Sequence, residues 1–421
     1  MNASSLADGS ISNLTRREGA PILCAVHPAH GPVDSSMTLV LEEIVDIGAL
    51  AGLAAEWDAL HDRLDPQLPF TTALWNLLWW KHFRADRRSV CDRLHSYAVR
   101  DAQGQLIAVA PMMLTQRPAV GPLRTSELQF FGADQNMTEI RGLVCHVEHQ
   151  AAVVAALGGC FRAKQTRWHW LQWSGLRHQP MMADRDQDGG SLRCTEDIPD
   201  YYLPLSSTWE EFRAGLSRNI KESLRKCYNS LKRDGHVFSF HVVERPEEIG
   251  AALTRFLELH AARARSKIGT PHNDVFALPN ARAFIEEYAQ AMAARGQLRI
   301  FQIEIAGVVV ATRIGLVFDR SLYLYYSGYD VDWARYSIMT TVVAESIKWA
   351  IAQGFTTVNL STGTDISKTR WGPKAHWFSN AVECAPTRYS RLAHQAYVAL
   401  KDSNRAGAMF AGLMTRFGRD R

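Results

Sequence analysis

Ser321-Leu322-Tyr323-Leu324-Tyr325-Tyr326-Ser327-Gly328-Tyr329-Asp330 reads as a strand, apolar and aromatic up to a turn at Gly328. After Val331-Asp332-Trp333-Ala334-Arg335, Tyr336-Ser337-Ile338-Met339-Thr340 opens a helix that runs to residue 353, with Gly354 just past its end. Residues 355–360 form the next strand. A strand, a helix and another strand in succession call for a mixed sheet with helices packed on it. Upstream, strands at 298–305 and 308–317 flank an Ala306-Gly307 turn. Before them stand a strand at 237–243 and helices at 246–264 and 280–295, the second ended by Gly296. Ser207-Thr208-Trp209-Glu210-Glu211 supplies a cap and an acidic first turn for a long helix that Gly235 stops.

The preceding block repeats this order. Helices are expected at 49–64 and 72–83, strands at 94–100 and 106–114 around Asp101-Ala102-Gln103-Gly104, and short strands at 127–131 and 140–144. A helix at 151–163 and a strand at 168–173 follow, and residues 184–197 read as a polar loop. Gly104-Gln105-Leu106-Ile107-Ala108 and Gly307-Val308-Val309-Val310-Ala311 both place a turn glycine four residues before an alanine in an apolar strand. With the matching element order, this predicts two copies of one α/β (α+β) fold. The expected divisions are a flexible tail over 1–37, domains over 38–205 and 206–390, and a helical or flexible tail over 391–421.

The chain has 421 residues, 47% hydrophobic and 21% charged, with Lys+Arg 47 against Asp+Glu 43. These values exclude a disordered or fibrous chain, and a net charge of +4 is too small for a DNA-binding protein. The seven cysteines are scattered without a C-x-x-C pair, so neither a disulfide framework nor a cysteine zinc site is expected. No histidine pattern indicates a metal. No apolar run reaches about 18 residues; the longest, 308–318, is interrupted by Arg313. No secretory signal is visible, and the expected location is cytoplasmic.

The strand-to-helix junction at 328–340 is the first candidate site. Backbone N–H groups in the first turn of a helix lack partners and sit at the positive end of its dipole, which suits a phosphate or pyrophosphate. The alternative is that Ser337 simply caps the helix. The second candidate is Lys368 with Trp371, a phosphate or acceptor contact beside a pocket wall, or else a surface lysine beside a core tryptophan. The third is the helix beginning near residue 217. Arg218, Lys221, Arg225 and Lys232 fall within roughly 60° of one another at about 100° per residue, next to Ile220, Leu224, Cys227 and Leu231. Six basic and two acidic residues lie between Ser217 and Asp234, a surplus equal to that of the whole chain. Such a face suits an anionic acceptor or an anionic membrane surface, and equally a solvated exterior. Alternating Trp168, Trp170 and Trp173 read as strand packing or as a sugar-stacking platform.

Several of these pieces, in order, resemble the acyltransferase domain of the CelD-like proteins of polysaccharide biosynthesis. They are Gly307 to Ala311, Tyr323 to Asp330, the helix from Tyr336, Gly354-Phe355, Val358-Asn359-Leu360, and Thr362-Gly363-Thr364-Asp365-x-x-Lys368-x-x-Trp371-Gly372. That group belongs to the GNAT superfamily and is related to the FemAB peptidoglycan aminoacyltransferases. The resemblance implies two tandem GNAT-like domains, each a mixed, mostly antiparallel sheet flanked by helices. It implies acyl-CoA, acetyl-CoA above all, as co-substrate without a metal, along Ser327 and Gly328 and against Arg335, Tyr336, Ser337, Ile338, Met339 and Thr340. Unlike many superfamily members, this chain has no glycine between Ala334 and Ile338; Arg335 offers a charge in compensation. Tyr329, Asp330 and Asp365 are the catalytic candidates, and Arg218, Lys221, Arg225, Lys368 and Trp371 the acceptor-binding ones. The implied acceptor is a small molecule or glycan precursor in exopolysaccharide or envelope assembly. Two alternatives remain: a FemAB-like transferase using aminoacyl-tRNA, and a non-catalytic scaffold that has kept the fold.

Overall fold

The computed structural model describes residues 22–24, 38–119, 121, 124–163, 168–177, 192–266 and 273–402. The first half supplies strands β1 (Ile22–Cys24), β2 (Leu39–Ile44), β3 (Cys91–Leu94), β4 (Ser96–Arg100), β5 (Leu106–Ala110), β6 (Met112–Arg117), β7 (Thr125–Phe130), β8 (Val144–Cys145), β9 (Trp170–Arg177) and β10 (Leu192–Pro204). The second supplies β11 (Phe238–Val243), β12 (Leu298–Ile305), β13 (Val308–Phe318), β14 (Ser321–Tyr329), β15 (Thr357–Thr362) and β16 (Lys374–Cys384). Eleven of them form one sheet in the order β11-β12-β13-β14-β15-β10-β16-β9-β7-β6-β3, and the other five a smaller sheet, β1-β2-β4-β5-β8.

The two-copy expectation is met in the strand–helix–strand unit. Helix Val147–Ala163 connects β7 to β9, which pair in parallel from Glu127↔Trp170 to Gln129↔Gln172. Helix Ile338–Ala352 connects β14 to β15, which pair in parallel from Ser321↔Thr357 to Tyr323↔Asn359. In each unit the two strands share three partnered positions and then part. Each half thus carries one such mixed α/β unit.

The first hairpin differs from expectation. Both of its strands break, at His95 and at Pro111, and pass from the smaller sheet to the larger one. Proline cannot donate to a strand ladder. The Ser96 hydroxyl bridges the break, donating to Met112 O and accepting from Met112 N, both at 3.1 Å. The helix expected at 49–64 is two, Ile47–Gly52 and Ala54–His61.

Of the expected loop at 184–197, residues 184–191 lie outside the described residues, and 192–197 belong to β10 instead. This strand carries Glu196, Asp197, Pro199 and Asp200, so neither alternation nor propensity marks it. Its neighbours make it a strand: β10 pairs antiparallel with β15 on one side and β16 on the other. β16 then pairs with β9. A strand late in the chain thus joins the two halves into one continuous sheet. Within the expected flexible tail, Ile22–Cys24 pairs with β2; the rest of 1–37 lies outside the described residues.

Three apolar layers hold this sheet. Leu322 and Leu324 on β14 point to one face, where Ile220, Leu224 and Leu231 of helix Arg218–Arg233 and Val342 and Ile347 of helix Ile338–Ala352 cover them. Tyr323 and Tyr325 point to the other face, into a layer built from both halves: Trp57, Phe70, Trp75 and Trp79 from the first, Phe256, Phe284 and Tyr288 from the second. The third layer belongs to the first half. There Trp168 and Trp173 are buried, as is Trp170 against Tyr397, so these tryptophans pack rather than form an open platform.

In the first half, the space where β7 and β9 part is closed by backbone. A Cβ on Gly142 would stand 2.0 Å from Ser174 O, and one on Gly175 would stand 2.3 Å from Arg141 O. Both glycines also have positive φ, 151° and 63°. Gly142→Ala should therefore cost about 3 kcal/mol of stability, read as a lower denaturation midpoint in urea. An unchanged midpoint would show that the contact is slack.

Candidate active site between the halves

β14 continues for six residues beyond Tyr323 after its last pairing with β15, held on its other side by β13 as far as Ala311↔Tyr329. One edge of a central strand is thus free of its neighbour from Leu324 onward. An extended, amide-bearing ligand can take the place of the missing strand there.

The residues around this gap come from several elements. The 136–139 segment of the first half crosses β14 and is held by three tyrosines. Tyr326 Oη donates to Asn136 O at 2.7 Å, Tyr325 Oη donates to Met137 O at 2.5 Å, and Tyr323 Oη donates to the Glu139 carboxylate. On the far side of the gap, Lys368 Nζ donates to Ser361 Oγ at 3.0 Å and to Thr362 O, and lies 3.7 Å from Asp365 Oδ2. Burial raises the Glu139 carboxyl above its ordinary value, partly offset by the charge of Lys368. Burial lowers the Lys368 ammonium and brings the Arg313 guanidinium down to about 10. A carboxyl moved up and an amine moved down approach each other in proton affinity, which marks the two as candidates for handling protons.

Asp200 lies on the same sheet face, wholly buried. Its Oδ2 accepts from Asn359 Nδ2 at 2.8 Å, and Oδ1 has no hydrogen-bond partner among the described residues. At the outer end of the gap, Arg263 lies 5.6 Å over the Tyr329 ring and donates to Ser327 Oγ at 3.3 Å. Gly328 is needed here for packing: a Cβ would stand 2.5 Å from His260 N on helix Pro246–Arg265.

The expected phosphate site has a definite form. Val331–Tyr336 is a 3-10 turn, and Ser337 then takes a left-handed backbone, φ 51°, before helix Ile338–Ala352. Ser337 therefore stands where a glycine is usual, and its side chain makes no cap bond. Thr340 Oγ1 accepts from Arg370 Nη2, while the buried Arg370 Nε has no hydrogen-bond partner among the described residues. Arg335 is exposed but turned back, its guanidinium 4.7 Å over the Tyr336 ring and donating to Tyr336 Oη. Ile338 is buried, Met339 half-buried, and Tyr336 buried against His236 and Asp234. An uncapped helix start with an unpaired guanidinium N–H beside it fits a pyrophosphate.

The structure brings Tyr329, Asp365 and Lys368 to one region around Arg263 and Arg313. Asp330 instead caps the 3-10 turn, accepting from Asp332 N at 3.1 Å. Trp371 is a buried core residue. Arg218, Lys221 and Arg225 do not reach the gap's inner face. Helix Arg218–Arg233 covers the opposite face of the sheet, Arg218 pairs with Glu222, and Lys221 donates to Ala214 O. Cys227 places that helix beside Ser337, next to the phosphate site. Sequence reading missed Glu139, Arg263, Arg313, Tyr323, Asp200 and Arg370. Arg313 carried a signal, as the lone charge in an eleven-residue apolar strand. Glu139 carried none, because only tertiary structure brings it here. Among the described residues no group of three or more His, Cys, Asp and Glu could hold a metal ion, and no helix is long and apolar enough to cross a membrane.

Residues 218–371 match the family of acetyltransferase (GNAT) domains; the gap, the helix start and Lys368 all lie within that stretch. The crystal structure of FemX is similar in fold, with a TM-score of 0.52 and 11% identity over 77% of this chain and 95% of that one. The C-terminal domain of a putative lysylphosphatidylglycerol synthetase from Agrobacterium fabrum matches with a TM-score of 0.47 and 13% identity over 85% of this chain and 96% of that one. A tandem GNAT protein from the clavulanic acid biosynthesis pathway matches at 0.40 and 8%, over 83% and 99%. No curated protein sequence matches the chain. The chain thus carries an acetyltransferase-type domain in its second half.

Helix Pro246–Arg265 meets β14 through His260, which is wholly buried and donates from Nδ1 to Ser327 O at 3.0 Å. Burial lowers His260, and likewise His61, below the ordinary value of 6.5. The unfolded chain therefore takes up protons first as pH falls. The stability these neutral imidazoles contribute is complete above about pH 6.5 and is lost progressively below it. Urea midpoints should fall between pH 7 and 5.5, and His260→Gln should flatten that dependence; an unaltered slope would remove His260 from the account.

Proposed function

We propose that the protein is an acyl-CoA-dependent acyltransferase, carrying an acyl group, acetyl in the simplest case, to an amine or hydroxyl of a glycan precursor or related small molecule. The observation that carries this reading is the open edge of β14, within a GNAT-matching stretch, leading to Lys368 and to Glu139 of the first half. The residues fit the co-substrate. Ser337 to Thr340 and Arg370 would hold its pyrophosphate, and the β14 edge from Leu324 to Gly328 its amide-bearing arm. When bound, the thioester supplies an activated carbonyl and a thiolate leaving group.

This chain's own residues then orient the acceptor and manage its protons. Asp200 Oδ1, buried without a donor, calls for an N–H or O–H group, and an amine or hydroxyl acceptor provides one. Glu139 takes the acceptor's proton as the carbon–nitrogen or carbon–oxygen bond forms. Its raised proton affinity suits it to that role better than an exposed carboxylate would be. Lys368 donates toward the thioester oxygen, where negative charge develops. As the carbon–sulfur bond breaks, Tyr329 at the outer end of the gap protonates the thiolate. The glycan class of acceptor rests on the resemblance to CelD-like proteins, and the proposed setting is the cytoplasm. Domains over 38–205 and 206–390 would each contribute a wall of the acceptor cleft.

Saturating acetyl-CoA should raise the unfolding temperature, in keeping with about 2.7 kcal/mol at a hundredfold excess over Kd. Glu139→Gln should lower kcat about 100-fold with that shift retained. Arg370→Ala should weaken CoA binding about tenfold. Asp200→Asn should raise the acceptor KM. A shift with charged tRNA and none with any acyl-CoA would replace this reading by aminoacyl transfer. No shift with either would leave a scaffold.

A further inference from the structure

Arg263 and Arg313 converge on Ser327 from different elements. Arg263, on helix Pro246–Arg265, donates to the Ser327 hydroxyl at 3.3 Å. Arg313, on β13, is the ladder partner of Ser327 and donates from Nη2 to Leu324 O at 3.1 Å. Both residues are half-buried, and Arg313 Nε is buried without a hydrogen-bond partner among the described residues. The two guanidinium groups are close enough to repel each other, and burial lowers the proton affinity of both.

Two cations held together partly out of water call for a counter-charge. Among the described residues neither guanidinium forms a salt bridge. The carboxylates around the gap are engaged elsewhere. Glu139 accepts from Tyr323, Asp200 accepts from Asn359 at 2.8 Å, and Asp365 stands 3.7 Å from Lys368. Residues 267–272, just past Arg263 in sequence, contain no Asp or Glu. A pair of arginines with N–H groups to spare matches the oxygens of a carboxylate or a phosphate.

The donor does not bring this acid. Its pyrophosphate has a cation of its own in Arg370, and its amide-bearing arm is neutral. We infer that the acceptor carries an acidic group, a carboxylate or a phosphate, and that Arg263 and Arg313 recognise it beside Ser327. Asp200 Oδ1 takes an N–H or O–H of the same molecule, so the two contacts fix which way round the acceptor lies. The inference rests on the acyltransferase reading and adds to it the charge of the acceptor.

Calorimetric titration of the full chain with glucosamine, its uronic acid and its phosphate ester tests this without the donor. One of the two acidic sugars should bind about tenfold or more tighter than glucosamine, and which one does so identifies carboxylate or phosphate. Arg263→Gln should remove that preference and leave the rise in unfolding temperature with acetyl-CoA unchanged. Arg313→Gln should remove it as well, and Arg313→Lys, which keeps the charge but not the fork, should restore part of it. The inference is overturned if the acidic sugars bind no better than glucosamine, or if their preference survives both glutamine substitutions. Loss of affinity for all three sugars alike, or loss of the acetyl-CoA shift, would also overturn it, by giving the arginines a structural or a donor-binding role. So would a preference for succinyl-CoA over acetyl-CoA that disappears in Arg263→Gln, which places the acid on the donor. A preference for an acidic sugar with no shift by any acyl-CoA would leave the acid site standing and remove the acyltransferase reading.

Discussion

Three tyrosines on one strand hold the two halves of this protein together and supply its candidate site with a carboxylate. Tyr323, Tyr325 and Tyr326 donate to Glu139, Met137 and Asn136. Two of these bonds reach backbone carbonyls and fix the position of the segment; the third reaches the carboxylate itself. Neutral hydrogen bonds of this kind contribute about 1 kcal/mol each, and one to an ionised group about twice that. Their larger consequence is geometric. Glu139 comes from the first half, while Lys368 and Arg313 come from the second. Without the clamp the acidic and basic groups would belong to separate units.

The rest of the architecture keeps that clamp dry and rigid. Phe70 meets Tyr323 and Trp75 meets Tyr325 edge to face, and Phe284 and Tyr288 back Trp75 in turn, so the Tyr323 and Tyr325 hydroxyls are desolvated and their bonds strengthened. β16 runs between β10 and β9 and closes the sheet across the halves. The halves then differ in one respect that matters for chemistry. Where β7 and β9 part, Gly142 and Gly175 bring backbone into contact. Where β14 and β15 part, the strand edge stays open. One duplicated unit thus retains a gap, and the other has turned the equivalent loop into the arm that carries Glu139.

Much of this was legible in the sequence, for identifiable reasons. The strand–helix–strand run at 321–360 obeys local rules: an aromatic strand, a helix bounded by Gly354, and a second apolar strand. So do the Ala306-Gly307 turn, whose residues have φ 51° and 75°, and the amphipathic helix with Ile220, Leu224, Cys227 and Leu231 inside. β10 was not legible, because Asp197, Pro199 and Asp200 oppose strand formation locally and only pairing on both edges imposes it. The basic helix is legible as a helix, but its sequence leaves the basic face open between an anionic acceptor, an anionic membrane surface and solvent. Sequence periodicity gives the sides of a helix, not which side of a sheet it covers. Glu139 lay beyond reach altogether, since its chemistry arises from a contact across 184 positions of chain.

The central claim is that one open strand edge, in the second half only, receives the acyl donor beside Glu139. A crystal structure of the protein with coenzyme A tests it most directly. The account predicts one molecule per chain, its arm along β14 beyond Tyr323 and its pyrophosphate at residues 337–340 near Arg370. Coenzyme A between β7 and β9, or at both places, would contradict it.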